Sequence, residues 1–243
     1  MPAKLSNKSQ IDSLTNIIQQ YLRLPLSDDT IPGSFLEGVL AHVRNGTRLN
    51  TYDFVDVIST KEKLGWQVKS TKSTTPVTWK RAKIPNSIEL IQESNKSEKG
   101  LQELGNAIIN FCNEHTEESI KQYQLEEIYY SRLVVFEDGK IKYIERKLCD
   151  KYNPIIFRKD DYVWHWSTPK KTVKKKQLPA LHGYNKSTNT KAWAWHGLGE
   201  NQLHFSGESE WWSSKDSLVI DFNYPKQEDK LSLEDLIKIL STI

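Results

Sequence analysis

The chain is poor in cysteine, with only Cys112 and Cys149 among its 243 residues. Two such distant cysteines build no disulfide framework, and there is no CxxC pair to grip a metal. Both thiols are expected to be reduced, in a cytoplasmic protein. Long hydrophobic runs are missing as well. No stretch approaches the ~18–20 apolar residues that span a bilayer, so no membrane partner is expected. The opening Met1-Pro2-Ala3-Lys4-Leu5-Ser6 lacks the apolar core of a secretory signal. Charge of one sign is not in excess either, because 34 Lys and Arg face 31 Asp and Glu. There is no NTPase P-loop, no G-x-S-x-G elbow and no internal repeat, which argues against a translocating motor, a serine hydrolase of that design and a solenoid.

What is present suffices for one domain with a good hydrophobic core, since the hydrophobic content is 37% over the whole chain. Apolar residues at helical spacing predict a helix over 11–23 (Ile11, Leu14, Ile17, Ile18, Tyr21, Leu22). Asp28, Asp29, Pro32 and Gly33 break the chain, and a second helix follows from Ser34 to Arg44. Residues 73–99 read as a loop with short strand content. Leu101, Leu104, Ala107, Ile108 and Phe111 mark a helix to about Asn113. Alternating runs at 127–137 and 140–148, joined through Asp138-Gly139, predict a hairpin. Short strands and long loops fill 155–225. A last helix opens at Ser232, with Asp235 three residues on.

The segment 52–72 carries the chemistry. Tyr52-Asp53-Phe54-Val55-Asp56-Val57-Ile58 and Gly65-Trp66-Gln67-Val68-Lys69-Ser70-Thr71-Lys72 read as two strands around a turn at Lys61-Glu62. If residues whose numbers sum to 123 lie opposite one another, Val55 faces Val68 and Val57 faces Trp66, giving one apolar face. Asp56, Gln67 and Lys69 then share the other face. A register one residue off would set Asp56 among Phe54, Ile58, Trp66 and Val68, stranding a carboxylate in apolar surroundings at a cost of several kcal/mol, of the order of ~2–5. Asp56 is thus favoured as the acid, with Asp53 as the fallback. The plain structural alternative is a solvent-facing hairpin in which Asp56 and Lys69 form a surface pair.

An acid on one strand followed by an acid-x-Lys on its antiparallel neighbour, often with a glutamate on the preceding helix, resembles the PD-(D/E)XK nuclease superfamily. Here the residues are Asp56, then Gln67-Val68-Lys69, with Glu37 on the upstream helix. The glutamine departs from the usual acid and is similar to a variant found in some restriction endonucleases. The resemblance covers roughly residues 30–72. It implies Mg²⁺ as cofactor, held by Asp56, the Gln67 side-chain oxygen and the Val68 backbone carbonyl. Glu37 would restore negative charge, and Lys69 would hold the attacking water. It also implies a type II enzyme acting on double-stranded DNA as a homodimer.

From Pro169 to Lys191 there are seven lysines and no acid, and six of the eight tryptophans and four of the six histidines lie between 164 and 212. Lysines suit phosphates, whereas Trp, His and Asn suit bases. The candidate DNA contacts are Thr78, Trp79, Lys80 and Arg81 just after the hairpin. Further along they are Lys174, Lys175, Lys176, His182, Tyr184, Asn185, Lys186, Trp193, Trp195, His196 and Asn201. The histidine spacings match no zinc pattern. The expected fold is α/β, a central mixed sheet flanked by helices as in restriction endonucleases, with a β-rich C-terminal half. The expected organisation is a single nuclease domain, with its catalytic core at about 30–150 and DNA recognition at about 155–225. The competing functions are a non-catalytic nucleic-acid-binding protein and a related nuclease of repair or of modified DNA.

Overall fold

The computed structural model describes residues 4–27, 30–50, 53–171 and 176–242; the side chains of 170, 171, 176, 177 and 227 are not described. Asp28, Asp29, Tyr52, Lys174 and Lys175, singled out above, lie outside the described residues. In chain order the first elements are α1 (Lys8–Leu22), α2 (Gly33–Val43), β1 (Thr47–Arg48), β2 (Val57–Ser59), β3 (Leu64–Lys72) and β4 (Val77–Arg81). Two helices follow, α3 (Ser87–Ser94) and α4 (Glu98–Tyr123), then β5 (Glu127–Val135) and β6 (Lys140–Asp150). Short strands come next: β7 (Tyr162–Trp166), β8 (Lys170–Lys171), β9 (Lys176–Gln177), β10 (Leu181–Asn185), β11 (Lys191–Trp195) and β12 (Gln202–Phe205). The chain closes with β13 (Ser217–Asn223) and α5 (Leu233–Leu240).

The fold is α/β and forms two compact units. One comprises residues 1–75, 123–148 and 214–243, and the other residues 76–122 and 149–213. This division differs from the expected one, because residues 76–122 join the second unit.

The first unit holds a mixed six-stranded sheet in the order β1-β2-β3-β5-β6-β13. β3 runs antiparallel to β2 but parallel to β5, over nine paired positions. β5 is buried along its whole length, as expected for a central strand. Leu64, Trp66 and Val68 of β3 and Tyr129, Leu133 and Val135 of β5 pack against Leu14 and Ile18 of α1 and Leu36, Val39 and Leu40 of α2. α1 begins three residues before the first apolar position. Asn7 caps it by accepting from the Gln10 N–H at 3.0 Å, and the Gln10 side chain accepts from the Asn7 N–H at 2.9 Å. At the β5–β6 turn Gly139 adopts φ +80°, the conformation that Asp-Gly foreshadowed. α5 opens at Ser232, whose hydroxyl accepts from the Asp235 N–H at 3.1 Å. The helix buries nothing, leaving Leu233, Ile237 and Leu240 exposed.

The second unit is built on a five-stranded antiparallel sheet, β4-β12-β11-β10-β7. Its inner face is aromatic, with Trp79, Phe157, Trp193 and Phe205 meeting at ring-centroid distances of 4.4–6.2 Å. Trp164 is clasped between α4 and β10. A Cβ on Gly105 would stand 2.2 Å from its indole, and one on Gly183 would stand 2.8 Å away. α4 runs ten residues beyond the expected end at Asn113. Its later inward positions are Thr116, Ser119 and Ile120, two of them small and polar, with the Thr116 hydroxyl bonded to the Cys112 carbonyl at 3.0 Å. Small polar groups that satisfy themselves on the helix backbone erase the apolar stripe without ending the helix. α3 also falls in a stretch read as loop; it is eight residues long and only Ser94 of it is buried.

Candidate active site

The register of β2 and β3 is the one the alternation required. Val57 opposes Trp66, Ile58 opposes Gly65, and Ser59 opposes Leu64, each pair summing to 123. Paired strand begins at Val57, not at 52, because the chain bends over Asp53–Asp56. Two expectations change there. Asp56 continues the contact irregularly, donating its N–H to the Trp66 carbonyl at 2.8 Å, while its carboxylate accepts the Val68 N–H at 2.7 Å. Val55 therefore does not face Val68. It lies on the Gly65 face, where a glycine Cβ would stand 3.0 Å from Val55 and 2.6 Å from Leu125.

The bend gives the site its shape. In an extended strand the N–H and C=O of one residue point to the same side. Since the Val68 N–H is directed at Asp56, its carbonyl also lies on the flank where β2 has left the ladder. Gln67 and Lys69 occupy the face of β3 opposite to Trp66 and Val68. Gln67 is 2% exposed, so this face is not the solvent-facing side of a plain hairpin. Lys69 is half-buried, beside Arg132 on β5 by strand register, and Arg132 donates to the Thr71 hydroxyl at 2.9 Å.

Glu37 reaches this place from α2. Burial, and then the charge of Asp56, push its carboxyl above the ordinary carboxylate range, while Arg48 and Lys69 pull it back. Glu37, Asp56 and Lys69 thus share one electrostatic neighbourhood. Arg48 of β1 pairs with Glu37 at 3.1 Å. Arg48 and Arg132 escaped sequence reasoning: β1 is two residues long and without alternation, and the β3–β5 pairing joins residues about sixty positions apart. Asp53 is placed differently, accepting a short hydrogen bond from the Tyr123 hydroxyl at the end of α4. Among the described residues no group of three or more His, Cys, Asp or Glu converges as a metal-holding set. The site offers two carboxylates and neutral oxygens instead.

The candidate DNA contacts divide sharply. Trp79, Trp193 and Trp195 are 0–1% exposed and form the core of the second unit, so they present no face to a base. Trp193 and Trp195 alternate with Ala192 and Ala194, a pattern that sends both indoles inward. Trp195 also donates to the Ala82 carbonyl at 3.1 Å. Lys80 is half-buried, its charge near the buried Cys112 thiol, which burial pushes far up. Thr78 and Arg81 are exposed. His182, Tyr184 and His196 are half-buried, His182 and Tyr184 on β10 and His196 just after β11. Asn185 holds the β10–β11 turn by accepting from the Ser187 N–H at 2.8 Å, and Lys186 donates to the Asp160 carbonyl at 2.7 Å. Asn201, at φ +54°, shapes the turn before β12. Lys176 begins β9.

No protein-family model matches the chain, and neither the curated proteins nor the solved structures contain a significant match. No helix among the described residues is long and apolar enough to cross a membrane.

Proposed function

We propose that this chain is a Mg²⁺-dependent endonuclease that hydrolyses phosphodiester bonds of double-stranded DNA, resembling the PD-(D/E)XK superfamily and type II restriction enzymes within it. The observation that supports this reading is the register of β2 on β3. It sets the Asp56 carboxylate on the Val68 amide, one residue from Lys69, with Glu37 in electrostatic reach.

The donor set fits a hard divalent cation. Asp56, Glu37, the Gln67 amide oxygen and the Val68 carbonyl would hold it, all of them oxygen donors. The charge of Asp56 raises the Glu37 carboxyl, a repulsion that a bound cation would offset. When bound, Mg²⁺ supplies Lewis-acid polarisation of the phosphate and a more acidic water. Lys69 would orient the attacking water and offset negative charge building on the phosphorus oxygens. Arg48 pairs with Glu37 at 3.1 Å and partly opposes the rise that burial and Asp56 impose on its carboxyl. Hydrolysis joins the water oxygen to phosphorus and breaks one ester bond, leaving a phosphomonoester and a hydroxyl.

The test is digestion of long duplex DNA with Mg²⁺. Discrete fragments are expected, and a smear would indicate a less specific nuclease of repair or of modified DNA. Lys69→Ala should cut at least about 100-fold more slowly, the scale of losing one preorganised charge contact. A Lys69→Ala protein as fast as the parent would overturn the site. Intact DNA with a salt-dependent gel shift would favour the second reading, a non-catalytic nucleic-acid-binding protein, which the half-buried histidines of the second unit support. A homodimer, with each subunit cutting one strand, goes with the type II reading and is tested by sedimentation of the protein with and without DNA.

A further inference from the structure

The solvent-side face of the five-stranded sheet carries a row of polar side chains set by register. Thr78 pairs with His204, His204 with Ala194, Ala194 with His182, and His182 with His165, so the row crosses every strand from β4 to β7. Ala194, the small member, leaves a depression at its centre. A cavity of about 260 Å³ opens there, lined by His182, His196, His204, Lys191, Ser167 and Ser206 over a floor that includes Ala194. At ~30 Å³ per water it has room for roughly nine. The described lining contains no carboxylate.

We propose that this cavity is a binding site for a phosphate group. Three imidazoles and an ammonium supply donors and positive charge, and the hydroxyls of Ser167 and Ser206 add neutral donors. That is more than the two oxygens of a carboxylate require and suits the several oxygens of a phosphate. The rings of His196 and His204 stand 5.2 Å apart, edge to face, and both line the cavity. Around His204 the titratable and charged groups are His196 and Lys191 from β11 and its turn, and His182 from β10. β4 adds the Thr78 hydroxyl at 3.4 Å from the imidazole Nδ1, and the Val77 backbone. Burial, His196 and Lys191 hold His204 below its ordinary value, and only the Val77 hydrogen bond raises it. Phosphate binding should therefore take up protons and strengthen as pH falls through the histidine range. The inference does not depend on the nuclease reading, because the cavity shares no residue with the β2–β3 site.

The experiment is calorimetric titration of the full chain with inorganic phosphate, and separately with a short duplex DNA lacking terminal phosphates, at about pH 6 and about pH 8. Wild type is compared with a His196→Ala/His204→Ala double variant and with Lys191→Ala, whose exposed side chain leaves the core untouched. Wild type should bind inorganic phosphate more tightly at the lower pH. The double variant should lose at least about tenfold in affinity and most of the pH dependence. Lys191→Ala should weaken binding at both pH values. Parallel loss for DNA would identify the natural ligand as a backbone diester, and loss for inorganic phosphate alone would identify a free or terminal phosphate. Unchanged affinity for both probes in both cavity variants would overturn the proposal, whatever the cleavage assay shows.

Discussion

At the scale of single residues, the two candidate acids have separable roles. Asp56 caps the Val68 amide beside Lys69, whereas Asp53 accepts from Tyr123. Asp56→Ala should abolish cleavage, by a factor of about 100 or more. Asp53→Ala should cut nearly as the parent does but lose about 1–3 kcal/mol of stability, the cost of leaving a part-buried hydroxyl unpaired. Parallel cleavage and denaturation assays distinguish the two, and a reversed pattern would exchange the assignments. Glu37 predicts a pH effect. Its folded carboxyl binds its proton more tightly than the unfolded one, so it contributes stability below the ordinary value of 4.5 and loses that contribution as pH rises through the raised folded value. In metal-free protein Glu37→Gln should therefore raise the thermal midpoint at neutral pH, with the gain vanishing in acid. A lower midpoint for the variant at neutral pH would contradict this. The register that brings Asp56 beside β3 was legible from alternation, because a slipped register would have buried its charge. Arg48 and Arg132 were not, since neither sits at a patterned position near the hairpin.

At the scale of elements, packing differs greatly between helices of similar amphipathic look. α4 is pressed so closely on β7 that Gly105 has no room for a methyl beside Trp164. Gly105→Ala should destabilise by about 1–3 kcal/mol through overpacking, even though alanine favours helix. α5 has as clear an apolar stripe, yet Ile237 is 55% exposed. Ile237→Ser should cost no more than about 0.5 kcal/mol, the usual size of a surface change. Denaturant unfolding of the two variants checks both, and equal effects would contradict the contrast. The stripe of α5 was readable in the sequence; whether anything covers it was not. The tryptophans give the same lesson in reverse, because the Ala-Trp-Ala-Trp pattern of β11 marks one face without saying that the face is interior.

At the scale of the whole molecule, the chain passes between its two units four times, so neither is a continuous segment. The hairpin, its helix α2 and the distant strand β5 must all be present to form the site. With Gln67 in place of an acid, the protein alone should hold Mg²⁺ weakly, and DNA phosphate should complete the coordination shell. Millimolar Mg²⁺ should therefore raise the thermal midpoint little in free protein and clearly more in its complex with uncut DNA. A large shift without DNA, or tight stoichiometric Mg²⁺ binding, would count against the proposed donor set.

The sequence by itself determined the local units: the capped helices, the Asp138-Gly139 hairpin, and the β2–β3 register with its acid and lysine. These follow from periodicity, turn chemistry and the cost of burying charge, all of which act over a few residues. Tertiary structure decided which partners lie far along the chain. It set β5 parallel to β3, bent Asp56 onto the Val68 amide, brought Arg48 to Glu37, and turned three tryptophans inward while histidines and hydroxyls lined a cavity on the opposite face. Such choices depend on how whole faces pack, and an apolar residue reads the same in sequence whether its face meets a core or a ligand.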